Sequence, residues 1–248
     1  MFCPLKHSRP DCSHCVVRHI SLCSQVDGDS LAELQAMAKR GRFDKGRVVF
    51  EQDARLGHVF LITRGLVKLY RDMASGKRQI TGFLGPGDLL GGVKRRAGAH
   101  CTAETITEID VCAFERDRFS WFLQCHPGLC FTLLVTAMDE IEAQYDHLIL
   151  LGRKLAPERL AAFLLMLSTR WKLEHEDRRL VHTIMPRGDM ADHLGLTSET
   201  ISRTFSRFKE EGLIEVPNTR SVILKNIPTL QDLAGFEELP SHRMAIGL

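Results

Sequence analysis

Between residues 42 and 120, apolar positions fall in short runs: Val48-Val49-Phe50, Val59-Phe60-Leu61-Ile62, Leu66-Val67-Lys68-Leu69-Tyr70 and Gln79-Ile80-Thr81-Gly82-Phe83-Leu84. Runs this short, bounded by turn residues, predict strands and not helices. Arg64-Gly65, Ala74-Ser75-Gly76 and Pro86-Gly87-Asp88 separate them as tight turns, where glycine supplies the positive φ that a hairpin needs. Many short strands at near-regular spacing predict a barrel or jelly roll.

The period changes after Pro127. Leu134, Met138, Ile141, Tyr145, Leu148 and Leu155 follow at steps of four and three, with Gly152 in the one missing place. This predicts a helix of about 25 residues, roughly 38 Å long. The stripe is flanked by Asp139, Glu140, Glu142, Asp146 and Arg153. A stripe that narrow suits a seam between two helices, so a homodimer is predicted in preference to packing on the chain's own barrel. Pro157 then opens another helix, and residues 181–184 read as a strand. Ile214-Glu215-Val216 and Ser221-Val222-Ile223-Leu224 form a hairpin around residues 217–220. The predicted plan is a cysteine-bearing segment (1–25), a β-roll (26–126), a dimerisation helix (127–155), a winged helix-turn-helix domain (156–226) and a weakly ordered tail (227–248). The fold class is α+β.

Residues 186–203 carry the most specific pattern. Ala191 is small where two helices cross, and Gly195 permits the left-handed turn that ends the first of them. Leu194, Leu196 and Ile201 fill the space between the helices, Thr197 caps the second, and Gly212 closes it. Glu199, Ser202 and Arg203 project from the opening turns of that second helix, where a recognition helix meets base edges. Glutamate can accept from cytosine N4, and arginine can pair bidentately with guanine. Arg207 and Lys209 suit phosphate contacts, and Thr197 and Ser198 complete the candidate DNA-binding set.

The chain is 44% hydrophobic and 26% charged, with a net charge of +2, so nucleic-acid binding must rest on local arrangement and not on bulk charge. No apolar run reaches the roughly 18 residues of a membrane span, and the opening residues do not form a signal peptide. A cytoplasmic location without membrane contact is predicted. Eight cysteines in such a chain point to metal or redox chemistry and not to disulfides. Cys12, Cys15 and Cys23 form C-x2-C-x7-C, a soft-donor set for iron–sulfur units or zinc. The candidates for a fourth ligand are Cys3, Cys112, Cys101, His7, His14 and His19, and spacing alone favours Cys3. Cys101, Cys125 and Cys130 are expected to be buried small hydrophobes. There is no catalytic residue set: no Ser/His/Asp arrangement, H-E-x-x-H or phosphate-cradling loop, and the C-x2-C lacks the βαβ setting of a thiol oxidoreductase.

Glu199 to Arg203, reading Glu-x-x-Ser-Arg, resembles the recognition helix of regulators related to the cyclic-AMP receptor protein and the fumarate–nitrate reduction regulator. The motif from Lys154 to Leu164, KLAPERLAAFL, is similar to the start of the second domain in that family. The resemblance covers nearly the whole chain. It implies a cyclic-nucleotide-binding-like β-roll, a dimer, a TTGAT…ATCAA-like operator in double-stranded DNA and contact with RNA polymerase. In oxygen-responsive members of the branch a distant cysteine in a roll strand is the fourth ligand, which implies Cys112 and a [4Fe-4S] cluster that favours the dimer and is dismantled by oxygen. Nucleotide binding is not implied, because Gly92 stands where a glutamate is expected and Cys101-Thr102 stand near the phosphate-binding Arg-Ser positions. Lys94, Arg95 and Arg96 nearby read as a solvated loop.

Overall fold

The structure is a computed structural model that describes residues 3–4, 12–74, 76, 78–92, 98–170, 177, 179–236 and 246–247. His7 and the basic residues 94–96 lie outside them. In chain order the strands are β1 (Cys3–Pro4), β2 (Lys39–Phe43), β3 (Val48–Phe50), β4 (His58–Arg64), β5 (Val67–Asp72), β6 (Arg78–Leu84), β7 (Leu89–Leu90), β8 (Thr102–Thr105), β9 (Ile109–Glu115), β10 (Leu180–His182), β11 (Ile214–Asn218), β12 (Ser221–Leu224) and β13 (Ile246–Gly247). The helices are α1 (Gly28–Met37), α2 (Arg116–Cys125), α3 (Pro127–Arg153), α4 (Ala156–Thr169), α5 (Arg187–Leu194), α6 (Ser198–Glu210) and α7 (Ile227–Ala234). The chain divides into two units, Met1–Ile141 with Met244–Leu248, and Glu142–Arg243.

The first unit is the β-roll. A six-stranded sheet in the order β1-β2-β9-β4-β7-β13 faces a four-stranded sheet in the order β3-β8-β5-β6. Residues 59–62 are apolar throughout because β4 is buried on both faces. Phe60 and Ile62 enter a core supplied by both sheets, with Val67, Leu69, Leu84 and Ala103. Val59 and Leu61 enter a second core, against Leu34 of α1 and Phe119 and Phe122 of α2. β9 alternates in the same way, sending Val111 and Ala113 to the first core and Cys112 and Phe114 to the second.

β2, with the sequence Lys-Arg-Gly-Arg-Phe, carries no apolar run and is not predicted from the sequence. It is held by its ladder to β9 and by charge. Arg42 Nε lies 2.7 Å from Asp110 Oδ1, and Arg64 Nε lies 2.7 Å from Asp110 Oδ2. Burial pushes the Asp110 carboxyl up, but these two guanidinium hydrogen bonds outweigh it and leave the group below its ordinary range.

The second unit packs α4 centrally, with Leu160, Phe163 and Leu164 buried. A three-stranded sheet in the order β10-β12-β11 supplies the wing. Residues 227–234, expected within a weakly ordered tail, form α7. The Asn226 side chain caps it by accepting from Thr229 N at 3.2 Å, and Leu230 and Ala234 are buried. Ile227, Leu230, Leu233 and Ala234 do recur at helical spacing, but over only two turns, too short a run to establish a period. Residues 237–245 and 248 of that predicted tail lie outside the described residues. Among the described residues, no single helix is long and apolar enough to cross a membrane.

The predicted Arg64-Gly65 turn is present, with Gly65 at φ +90°. A Cβ at that position would lie 2.2 Å from Glu108 O. Gly65→Ala should therefore cost about 2–4 kcal/mol through strain and backbone displacement, measured by urea denaturation. A loss under about 1 kcal/mol would contradict this account of the turn, since a glycine whose backbone alanine can adopt gains about 0.4–1 kcal/mol on the change.

Candidate cluster site and nucleic-acid interface

The cysteine-bearing segment folds as two short 3-10 turns, Arg18–Ile20 and Leu22–Gln25. The Ser21 hydroxyl accepts from Cys23 N at 3.3 Å, and the Arg18 guanidinium donates to Val26 O at 3.2 Å. These local bonds replace a regular period, which is why the segment reads as featureless. The segment sits against the Pro86-Gly87-Asp88 turn. Gly87 has φ +93°, and a Cβ there would meet Ile20 O at 3.0 Å. The Asp88 carboxylate accepts from Gly85 N at 2.8 Å, so Asp88 serves the fold.

Cys23 and Cys112 belong to one apolar core, and Cys15 packs against it half-buried. Cys12, Cys23 and Cys112 are all buried as reduced thiols. Burial pushes the Cys112 thiol up to about 12, and thiolates at Cys15, Cys12 and Cys23 would each add repulsion. Burial pushes Cys23 up to about 11, opposed by the Ser21 hydrogen bond and reinforced by Cys12 and Cys15. Cys112 thus lies within electrostatic reach of the other three, and Cys23 within reach of Cys12 and Cys15. Among the described residues, no three potential ligands stand close enough to hold a single metal ion. A tetrahedral zinc at 2.3 Å would draw its sulfurs to about 3.8 Å from each other. A four-iron cubane holds its thiolates farther apart than that.

The other candidate ligands fare differently. Cys101 belongs to the inter-sheet core, with Ile62 and Val111, and its thiol is pushed up to about 11 by burial. His14 and His19 are exposed. Cys3 stands in β1 opposite Arg42, one strand beyond the partner of Cys112. Cys125 and Cys130, expected to be buried, are exposed on α2 and α3. Residue type alone misjudges them, because both fall on the outward faces of their helices.

The DNA-reading element matches its prediction closely. Gly195 caps α5 in the left-handed region at φ +61°, and the Thr197 side chain accepts from Thr200 N at 3.1 Å to start α6. Ala191, Leu194 and Ile201 are buried. Glu199, Ser202, Arg203 and Arg207 are exposed on one helix, with Ser198 at its first position. Glu199 and Arg203 pair with each other, Ser202 Oγ donates to Ser198 O at 2.9 Å, and Arg207 pairs with Glu211 at 2.7 Å. These bonds all run within the helix, between exposed groups and its own neighbouring turns. Sequence reading missed Arg187, whose guanidinium carbon lies 3.2 Å from the Phe205 ring centroid and clamps α5 onto α6. Burial lowers its pKa to about 10, which leaves it charged at neutral pH.

On α3 the predicted stripe is exposed: Leu134 57%, Met138 57%, Ile141 54%, Tyr145 62% and Leu148 63%. Phe131, Val135 and Ile149 widen it, and Leu155 falls beyond the end of the helix. In the roll, the positions that would serve a cyclic phosphate are engaged otherwise. Cys101 is core, and the Thr102 hydroxyl accepts from Gln52 N at 3.1 Å.

Residues 158–233 match the Crp-like helix-turn-helix domain, and residues 40–126 match the cyclic nucleotide-binding domain. The nitrogen fixation regulation protein FixK of Bradyrhizobium diazoefficiens is 35% identical over 206 residues, covering 83% of this chain and 86% of that protein. The transcriptional activator protein FnrL of Cereibacter sphaeroides is 32% identical over 228 residues, covering 90% and 92%. The solved structure of FixK2 from Bradyrhizobium japonicum superposes with a TM-score of 0.72 at 28% identity, covering 79% of this chain and 96% of that one.

Thiols held near 11 and 12 are almost wholly protonated at pH 8, with a reactive thiolate fraction of about one part in a thousand or less. In metal-free protein, Cys125 and Cys130 should therefore alkylate at least about 100-fold faster than Cys23 and Cys112, followed by peptide mass mapping. Labelling of Cys112 at the pace of Cys125 would show that it is not buried as described.

Proposed function

The chain belongs to the Crp/Fnr family of DNA-binding transcription regulators, in its fumarate–nitrate reduction branch, and on that footing we propose an oxygen-responsive activator that binds DNA as a dimer while a [4Fe-4S] cluster is held by Cys12, Cys15, Cys23 and Cys112. The observation that carries this function is that Cys112, 89 residues after Cys23, lies in the same apolar core as Cys23 and Cys15. When bound, the cluster supplies oxygen-labile bonds between the N-terminal segment and the sheet. The chain supplies the mechanical link. Leu129 and Leu133, on the opening turns of α3, pack in the same core as Cys23 and Cys112. The α2–α3 junction is further tied to α1, with His126 Nε2 3.0 Å from Ser30 Oγ. Loosening the segment therefore loosens the root of the helix that carries the exposed stripe. A change of about 1–3 kcal/mol in the dimer equilibrium is enough for a switch.

In the dimer, Leu134, Met138, Ile141, Tyr145 and Leu148 form the seam, which removes the exposed apolar face from water. Two copies of α6 then read the halves of a TTGAT…ATCAA-like inverted repeat through Glu199, Ser202 and Arg203, with Arg207, Thr197 and Ser198 on the backbone. RNA polymerase is the second macromolecular partner, and the protein works in the cytoplasm. A cyclic nucleotide is disfavoured as the ligand, because Cys101 and Thr102 present no cation to its phosphate.

Protein purified without air should be brown and contain about four irons and four acid-labile sulfides per chain, the composition of one cubane. A colourless preparation containing only zinc would defeat the cluster. Cys112→Ser should abolish cluster retention and operator binding together, whereas Cys3→Ser should leave both intact. The opposite pattern would make Cys3 the fourth ligand. Arg203→Ala should weaken operator binding by about 10- to 100-fold while leaving salt-sensitive binding to random duplex nearly unchanged. Equal losses on both duplexes would remove Arg203 from the base-reading set.

A further inference from the structure

The motif at residues 154–159 is explained neither by DNA contact, nor by the dimer seam, nor by the cysteines. Within the second unit it stands where three helices end. α3 stops at Arg153, α5 at Leu194 and α7 at Ala234. Each C-terminus presents carbonyls without helical partners and a partial negative charge. Arg159 Nη2 donates to Leu151 O at 2.8 Å and its Nε to Lys154 O at 2.8 Å, both at the end of α3. Its Nη1 donates to Leu194 O at 2.9 Å, at the end of α5. Lys154 Nζ donates to Ala234 O at the end of α7. Glu158 holds the bend between α3 and α4 by accepting from Leu155 N at 2.8 Å.

The same junction is packed without slack. A Cβ on Gly195, which has φ +61°, would lie 3.2 Å from Leu151 Cδ2 and 3.3 Å from Arg159 Nη1. The turn of the helix-turn-helix therefore seats directly on the last turn of α3. The His147 ring of α3 stacks on His193 of α5 at 4.3 Å between centroids. Because Arg187 locks α5 to α6, whatever fixes α5 against α3 also fixes the reading helix.

We infer that Arg159, supported by Lys154, is a positioning residue that sets the angle of α6 against the dimer helix and so the half-site spacing that the dimer accepts. A planar guanidinium addresses carbonyls on separate helices from three separate nitrogens, whereas a lysine's three donors radiate from one nitrogen and cannot match that spread. The two halves of an operator must lie about one helical turn apart, so a small rotation at this junction misplaces one reader when the other is seated. This inference rests on the dimeric reading above.

The test uses full-length protein under the conditions in which the wild type binds. It compares an inverted repeat, the same repeat with one base pair added to its spacer, and a duplex with a single half-site. Arg159→Gln should weaken binding to the repeat by about 10-fold or more, and binding to the half-site by no more than about twofold. Its preference for the native spacer should fall by a similar factor, with dimer mass unchanged by sedimentation. Arg159→Lys should show a smaller loss of the same kind. Equal losses on repeat and half-site, or no loss on either, would overturn the inference. If Arg159→Gln does not fold, Arg159→Lys and Lys154→Gln are put through the same comparison, and the same results support or overturn the inference. A wild type that is monomeric, or has no preference for the repeat over the half-site, defeats the dimeric reading first and this inference with it.

Discussion

A strand buried on both faces must send consecutive side chains into different interiors. β9 obeys this rule between two cores, and the rest of the first unit follows from it. Val111 and Ala113 help to close the roll, so Cys112 between them faces the helices and the cysteine-bearing segment. A shift of one residue would place the thiol in the roll interior, where Cys101 already sits. The ladders on both sides fix the register, pairing Cys112 with Arg40 of β2 and with Leu61 of β4. The Asp110 carboxylate, gripped by Arg42 and Arg64, fastens the same strands at the surface.

The two units solve opposite physical problems. Around Cys112 the chain gathers thiols in surroundings that resist charge, and a thiol must lose its proton before it can ligate anything. Along α6 the polar groups stay at the surface and bond among themselves, so nothing costly is buried before DNA arrives. Within the first unit the opening turns of α3 pack with the cysteine core. Within the second, its last turn packs on the turn of the helix-turn-helix.

Legibility in the sequence followed periodicity and special chemistry. The runs at residues 48–50, 59–62 and 79–84, the long stripe on α3, and the Ala191-Gly195-Thr197 punctuation each had a strong local signature, and the elements stand where these placed them. β2 and α7 were illegible because one is polar and held by cross-strand charge, and the other is only two turns long. The exposure of Glu199, Ser202 and Arg203 together on one helix could be foreseen from their spacing. The convergence of Cys112 on the N-terminal cysteines could not, since it depends on a sheet register that no spacing encodes. Arg159 was visible only as part of a motif, because its partners are main-chain carbonyls, to which side-chain patterns are blind.

The last described strand has a further consequence. β13 lies parallel to β7, pairing Ile246 with Leu89 and Gly247 with Leu90, and so occupies what would otherwise be the open margin of the six-stranded sheet. An uncovered margin is a row of unsatisfied amides and carbonyls ready to template another polypeptide. β13 is itself the outermost strand, and at two residues it offers a second polypeptide few such groups to pair with. Residues 246–247 therefore blunt the edge of the sheet without closing it.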